Sequence, residues 1–270
     1  MKKSLNVMAI QMSSELGDKF KNIEKIKTLV NDNVQKNTDV IILPEVWTVG
    51  WACKYFKDSA EDIKDSNVIN TLSNLAKQHQ VNIIGGSFIS KKDNKLYNTC
   101  PVINRNGELI ATYDKCHLFS YYGDNEGDYI TEGSNPVIVN IEGIKIGLTI
   151  CYDIRFPEIY RAYAIEGADL MINMAAWGSK KEIPWVSMTH SRAVENQCYF
   201  VALTQSGAIE NGEFNLGKST IIDYKGENLA DITSKEGAIS ATLNFEEQND
   251  FRAKCTVLKD IHKNYQVKEF

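Results

Sequence analysis

No apolar run in this sequence approaches the roughly 18 residues that a membrane-spanning helix requires. The two lysines near the start, Lys2 and Lys3, are not followed by the apolar segment of an export signal. Basic clusters are missing as well. The formal net charge is -5, so neither nucleic acid nor a membrane surface is an expected partner. Proline is scarce, five in 270 residues and scattered at element edges, and no linker, repeat or low-complexity tract divides the chain. One continuous domain over 1–270 is the simplest reading. The six cysteines form no C-x-x-C pair, and no His/Cys/Asp cluster has ligand spacing. No metal is therefore expected. Without an export signal, reduced thiols in a cytoplasmic protein are the expectation.

What remains is ordinary globular composition, 43% hydrophobic and 24% charged, in a chain long enough to bury a core without staples. The pattern alternates between the two structural periods. Leu5 to Met12 reads as a strand. Phe20, Ile23, Ile26 and Val30 mark a helix, and Val40 to Leu43 is a short run suited to a strand covered on both faces. Val68, Ile69, Leu72, Leu75 and Ala76 mark a second helix, and Val81 to Phe88 returns to strand. Hairpins follow. One joins Tyr97–Ile103 to Leu109–Tyr113 through a tight primed turn at Asn106-Gly107. One joins Val137–Ile141 to Ile144–Ile150 through Glu142-Gly143, and another turns near Lys225-Gly226. A helix starts at Pro157 and stops near Gly167. A strand from Leu170 to Asn173, a helix from Trp185 to Asn196 and a strand from Tyr199 to Thr204 come next. Parallel units mixed with hairpins imply a layered α/β sandwich.

Three residues sit where such folds place reactive groups, just past strand ends. Cys151 follows Ile146–Ile150 and precedes the Pro157 helix, where free N–H groups can face developing negative charge. Glu45 follows Val40 to Pro44, where partial desolvation makes a carboxylate a better base. Lys115 lies past Leu109–Tyr113 and could stabilise an oxyanion. Each has an ordinary alternative: a small buried thiol, a loop carboxylate, a solvated lysine. His117 and His190 read as structural, because a Cys–His pair would still need a third orienting group. Arg155, just before a helix, reads as structural too, so no grip for a substrate carboxylate is identified.

Their contexts carry a further signal. Leu43-Pro44-Glu45-Val46-Trp47, Tyr113-Asp114-Lys115-Cys116-His117-Leu118-Phe119 and Cys151-Tyr152-Asp153-Ile154-Arg155-Phe156-Pro157-Glu158 resemble the blocks of the carbon–nitrogen hydrolase, or nitrilase, superfamily, in its order of Glu, Lys and Cys. Asn173-Met174-Ala175-Ala176-Trp177 and Ser191-Arg192-Ala193-Val194-Glu195-Asn196-Gln197 match two more. The resemblance runs from about Leu5 to the region of Phe251. It implies a four-layer α-β-β-α sandwich, a cofactor-free reaction, and a homodimer with the tail 255–270 at its interface. It also implies catalytic roles for Glu45, Lys115 and Cys151, with Glu126 as a second glutamate in the loop-like stretch after Tyr121. Tyr152, Met174, Ala175 and Trp177 are the implied substrate contacts. Tyr152-Asp153 after the cysteine, where nitrile hydrolases carry Trp-Glu, resembles the branch of ω-amidases and deaminated-glutathione amidases. The expected substrate is thus a small-molecule amide. N-carbamoyl hydrolysis, acyl transfer to an acceptor other than water, or a non-enzymatic binding or scaffold role stay open at this point.

Overall fold

The computed structural model describes residues 2–121, 124–262 and 266–269. The first half of the chain supplies β1 (Ser4–Gln11), α1 (Lys19–Asn33), β2 (Val40–Ile42), α2 (Phe56–Ser59), β3 (Glu61–Asp62), α3 (Asn67–His79), β4 (Asn82–Ile84), β5 (Phe88–Lys92), β6 (Lys95–Ile103) and β7 (Leu109–Asp114). A two-stranded ribbon, β8 (Ser120–Tyr121) with β9 (Asp124–Asn125), stands where a loop was expected. Tyr122 and Gly123 of that stretch lie outside the described residues. The second half supplies β10 (Val137–Ile141), β11 (Ile144–Ile150), α4 (Pro157–Ile165), β12 (Leu170–Ala175), α5 (Glu182–Asn196), β13 (Tyr199–Thr204), β14 (Thr220–Ile222), β15 (Asn228–Asp231), β16 (Gly237–Asn244) and α6 (Phe245–Lys254).

Two sheets result. The first runs β16-β1-β2-β4-β6-β5-β3 with β7 also on β6, and the second runs β10-β11-β12-β13-β14-β15. Each has three parallel strands at its heart, β1-β2-β4 and β11-β12-β13. Side-chain alternation sets the layers. Met8, Ile10, Ile41 and Ile83 pack outward on Ile26 of α1 and Leu72 of α3. Their neighbours Val7, Ala9, Val40 and Ile42 point the other way, into the core shared with the second sheet. Cys100 of β6 meets Met174 of β12 across that core, sulfur to sulfur at 3.9 Å. On the far face of the second sheet, the Tyr163 ring of α4 lies on Gly147, and the Tyr160 hydroxyl bonds Thr149 at 2.7 Å. The expected four-layer α-β-β-α order is what these contacts build.

Two local expectations needed correction. The turn at Asn106-Gly107 is not a two-residue primed turn. Only Gly107 has positive φ there, and the loop closes more widely, with the Asn104 N–H donating to the Glu108 carbonyl at 2.9 Å. The primed turn is at Glu142-Gly143, where φ is 54° and 90°, as a two-residue connection between twisted strands demands. The strand expected over Val81–Phe88 breaks at Gly85–Ser87. There the backbone turns to grip the chain beyond β2: Leu43 N–H donates to the Ile84 carbonyl at 3.0 Å and Ser87 N–H to the Pro44 carbonyl at 3.0 Å.

Gly86 makes that grip possible. Its φ is +63°, and a Cβ there would stand 2.0 Å from the Pro44 carbonyl oxygen and 2.7 Å from the Leu43 carbonyl carbon. Both contacts are backbone, so neither can swing aside. Gly86→Ala should destabilise the protein by on the order of 3 kcal/mol and displace the residue after Pro44. Urea unfolding measures the first effect; a change below about 0.5 kcal/mol, the size of a neutral surface substitution, would contradict this role for Gly86.

Candidate active site

The strand ends of the two sheets converge on one buried cluster. Glu45 follows β2, Lys115 follows β7, Cys151 follows β11, and Glu126 opens a 3-10 turn, Glu126–Asp128. Glu45, Lys115 and Glu126 are at most 1% exposed, and Cys151 is 6% exposed. The Lys115 ammonium donates to Glu45 Oε1 at 2.9 Å and to Glu126 Oε2 at 2.8 Å. Asn98 of β6 lies beneath both carboxylates, its Nδ2 donating to Glu45 Oε1 at 3.0 Å and Glu126 Oε1 at 3.3 Å. The second sheet supplies the Ala176 N–H, which donates to Glu45 Oε2 at 2.8 Å, and Gln205 Nε2, which donates to the Glu45 carbonyl at 2.6 Å. Glu45 is therefore held from both sheets.

Two carboxylates share one ammonium, and this sets the charge states. Burial alone would pull the Lys115 ammonium down, but Glu126 and Glu45 outweigh it and hold it well above the usual lysine value. Burial lifts Glu126 above the usual carboxylate range, with Lys115 opposing and Glu45 adding. Burial also holds the Cys151 thiol well above its usual value. The Glu45 charge adds to this, and Lys115 pulls the other way. A thiol so placed rests protonated and needs a base to act.

Cys151 sits at a sharp bend. Its φ is +45°, a left-handed conformation that a non-glycine residue adopts only where its surroundings enforce it. The chain then turns into a 3-10 helix, Cys151–Arg155. Asp153, fully buried, enforces the bend by accepting four hydrogen bonds. The Ile150 N–H donates at 2.8 Å, the Tyr113 hydroxyl at 2.6 Å, and the His117 N–H and Nδ1 at 2.9 and 2.7 Å. His117 is thus bound to Asp153 and stacked on Phe156, ring centres 3.8 Å apart; it serves the bend. His190 bonds the Val186 carbonyl and Asn228, as a structural histidine does.

A cavity of about 510 Å³ opens on the cluster, reaching Cys151 and Glu126. Its wall includes Trp51, Phe119, Arg155, Ala176, Trp177 and Lys181. Of the expected substrate contacts, only Trp177 is on that wall. Met174 and Ala175 are fully buried in β12, Met174 against Cys100, because the strand continues two residues further than the sequence pattern suggested. Ala176 takes the wall position. The Tyr152 ring turns aside to pack edge-on against Phe119 and Phe156. Arg155, read from sequence as structural, lines the cavity instead. Its guanidinium lies over Trp177, 5.4 Å from the ring centre, and its buried Nε has no hydrogen-bond partner. Sequence reasoning also missed Asn98, Asp153 and Gln205. The available signals were a polar residue inside an apolar strand for Asn98 and a polar residue at a strand end for Gln205. Among the described residues no group of three His, Cys, Asp or Glu side chains could hold a metal ion.

A family model for the carbon–nitrogen hydrolases matches residues 6–253. A 2-oxoglutaramate amidase of Bacillus subtilis is 32% identical over 96% of this chain and 98% of its own. The omega-amidase NIT2 of Xenopus tropicalis is 29% identical over 93% of each chain. The crystal structure of Saccharomyces cerevisiae Nit3, a member of branch 10 of the nitrilase superfamily, superposes with a TM-score of 0.84 at 27% identity, covering 94% of this chain and 95% of that one.

Removing the shared cation should cost more than it would at a surface. Lys115→Met leaves Glu45 and Glu126 buried without their counter-charge, a loss of about 3–5 kcal/mol. Because the folded lysine value lies above the unfolded one, this contribution is fully present below the unfolded value of about 10.4. It fades as pH climbs from there toward the folded value. Urea unfolding of both proteins at several pH values should give a steady gap from neutrality to about pH 9, narrowing above pH 10.

Proposed function

The chain belongs to the carbon–nitrogen hydrolase family, and on that premise we propose that it hydrolyses the terminal amide of small carboxylic acids, releasing ammonia. The observation that carries this reading is the pairing, on one cavity, of the Cys151 cluster with an Arg155 guanidinium whose buried Nε has no partner. A half-buried planar cation with an unpartnered N–H suits a carboxylate, which a guanidinium can bind through two parallel hydrogen bonds. The names of the two amidase relatives support the same substrate class.

In this mechanism Glu45 accepts the thiol proton of Cys151 as sulfur attacks the amide carbon. The oxyanion that forms is stabilised by the Lys115 ammonium and by the Tyr152 N–H, one of the free donors that begin a helical turn. Glu45 then gives its proton to the departing nitrogen, ammonia leaves, and the acyl group remains on sulfur as a thioester. Glu45 next takes a proton from water, whose oxygen attacks the thioester. The carboxylic acid departs and the proton returns to sulfur. One carboxylate serves both halves because the acid made in the first is the base restored in the second. Glu126 keeps the Lys115 ammonium charged and aimed.

We infer further that residues 1–270 act as one hydrolase domain of a cytoplasmic homodimer. Six unpaired thiols are in keeping with a reducing compartment. No helix among the described residues is long and apolar enough to cross a membrane. Ile165 of α4 and Val186 and Val194 of α5 are 63%, 41% and 49% exposed, an apolar surface that a second copy would cover. The tail 255–270 is the other candidate for that interface; Lys263, Asn264, Tyr265 and Phe270 lie outside the described residues. Light scattering at micromolar concentration should report about 60 kDa, twice the 30.4 kDa chain. A Val194→Lys substitution should shift it toward monomer. A monomer in the unmodified protein ends the dimer proposal.

Cys151→Ala should abolish turnover while retaining the fold, and mass spectrometry of the quenched wild type should find an acyl group on Cys151. In a side-by-side series, 2-oxoglutaramate should be cleaved with a higher kcat/KM than butyramide, an N-carbamoyl amine or a simple nitrile. Arg155→Gln should raise KM for the acid amide by about tenfold or more and leave butyramide unaffected. Preference for the carbamoyl compound or the nitrile would remove the acid-amide assignment, and turnover by the alanine variant would remove the mechanism.

A further inference from the structure

The cavity presents a second cation that no carboxylate pairs with among the described residues. Lys181 closes a 3-10 turn, Ser179–Lys181, just before α5. Its carbonyl accepts the Trp177 indole N–H at 2.7 Å, which fixes the turn against the wall. Its ammonium lies 4.8 Å from the Phe119 ring centre and 6.0 Å from that of Trp177. Arg155 shares the Trp177 ring, so both cations border one aromatic surface.

The acids on the same wall are engaged elsewhere. Glu210 pairs with Lys54 at 2.7 Å, Glu213 with Lys180 at 2.5 Å, and Glu126 with Lys115 at 2.8 Å. Glu213 feels the Lys181 charge only as a lesser influence. Asp128 accepts from the Asn125 amide at 2.7 Å. Lys115 is enclosed by its two glutamates. Arg155 and Lys181 are therefore the positive charges left to face a substrate. The two differ in what they recognise. A guanidinium fork suits both oxygens of a carboxylate, whereas an ammonium on a flexible stem suits one nearby oxygen and repels any positive group.

We propose that Lys181 is a specificity-determining residue: it selects acid amides that carry an oxygen at the carbon beside the carboxylate and rejects those that carry an ammonium there. This rests on the acid-amide reading above and adds to it a reason for excluding amino acids. With the carboxylate on Arg155, a 2-oxo oxygen can accept from Lys181. An α-ammonium would meet the like charge of Lys181, and of the acids on this wall only Asp128, held by the Asn125 amide, lacks a cationic partner among the described residues.

2-Oxoglutaramate and L-glutamine differ at that one carbon and test the idea directly. Lys181→Gln should lower kcat/KM for 2-oxoglutaramate by about tenfold, mainly through KM. It should narrow the preference over glutamine by more than that, and Lys181→Glu should narrow the preference further. A preference that stays within about twofold of wild type in both variants overturns the proposal. Binding separates this result from failure of the acid-amide reading. Calorimetry of 2-oxoglutarate with Cys151→Ala, and with Cys151→Ala/Lys181→Gln, needs no turnover. About tenfold weaker binding in the double variant supports the Lys181 role even if another amide proves the better substrate. Equal binding, or none to the single variant, overturns it.

Discussion

One ammonium serving two buried carboxylates is the constraint on which the rest of this site depends. Counted with both carboxylates ionised and the thiol protonated, the group of Glu45, Lys115, Glu126 and Cys151 carries one net negative charge on side chains almost wholly withdrawn from solvent. Losing the thiol proton to bulk water would add a second negative charge where charge is hardest to hold. Passing it to Glu45 leaves the total unchanged. The arrangement thus favours internal proton transfer over a standing thiolate, and it makes Glu45 and Cys151, the base and nucleophile of the proposed mechanism, parts of one electrostatic unit. Lys115 steadies the carboxylates at rest, and in the proposed mechanism it also meets the charge that develops on a substrate oxygen.

Holding that unit together uses much of the polar interior. Asn98 spaces the two carboxylates, Gln205 and the Ala176 N–H fix Glu45, and Asp153 holds the bend at Cys151. These groups come from both sheets and meet at the ends of the parallel strands, the usual opening of such folds. Burial strengthens each of these bonds and makes each missing partner costly. The Nε of Arg155 and the Oδ1 of Asn98, both buried near this cavity, lack a partner.

The sequence made the scaffold legible wherever one period dominated. Val40 to Ile42 and Tyr199 to Thr204 are strands because nearly every residue is apolar and buried. Pro157 and Gly167 bracket a helix through their own backbone preferences. The three family-like blocks drew attention to Glu45, Lys115 and Cys151, and Glu126 was found from its distance to a glycine. What was not legible depends on partners remote in the chain. Asn98 lies 53 residues from Glu45, and Gln205 lies 160. No local pattern reveals that such residues meet. Gly85–Ser87 interrupts an apolar run because the backbone there is committed to Pro44. Met174 and Ala175 fell one strand-end short because hydrophobicity does not say where a buried strand stops. The place of Arg155 on the cavity wall was not legible because a position before a helix says nothing about which way a long side chain turns.

The division of this site between the sheets reaches beyond the chemistry. Glu45 and Lys115 hang from the first sheet and Glu126 from the turn after the β8-β9 ribbon, whereas Cys151 and the Ala176 N–H belong to the second. Neither sheet with its helices holds the whole cluster, because Glu45 and Cys151 come together only when the two inner faces seal. Because β16, the last strand of the chain, completes the first sheet beside β1, the contact between the two inner faces draws on both ends of the sequence.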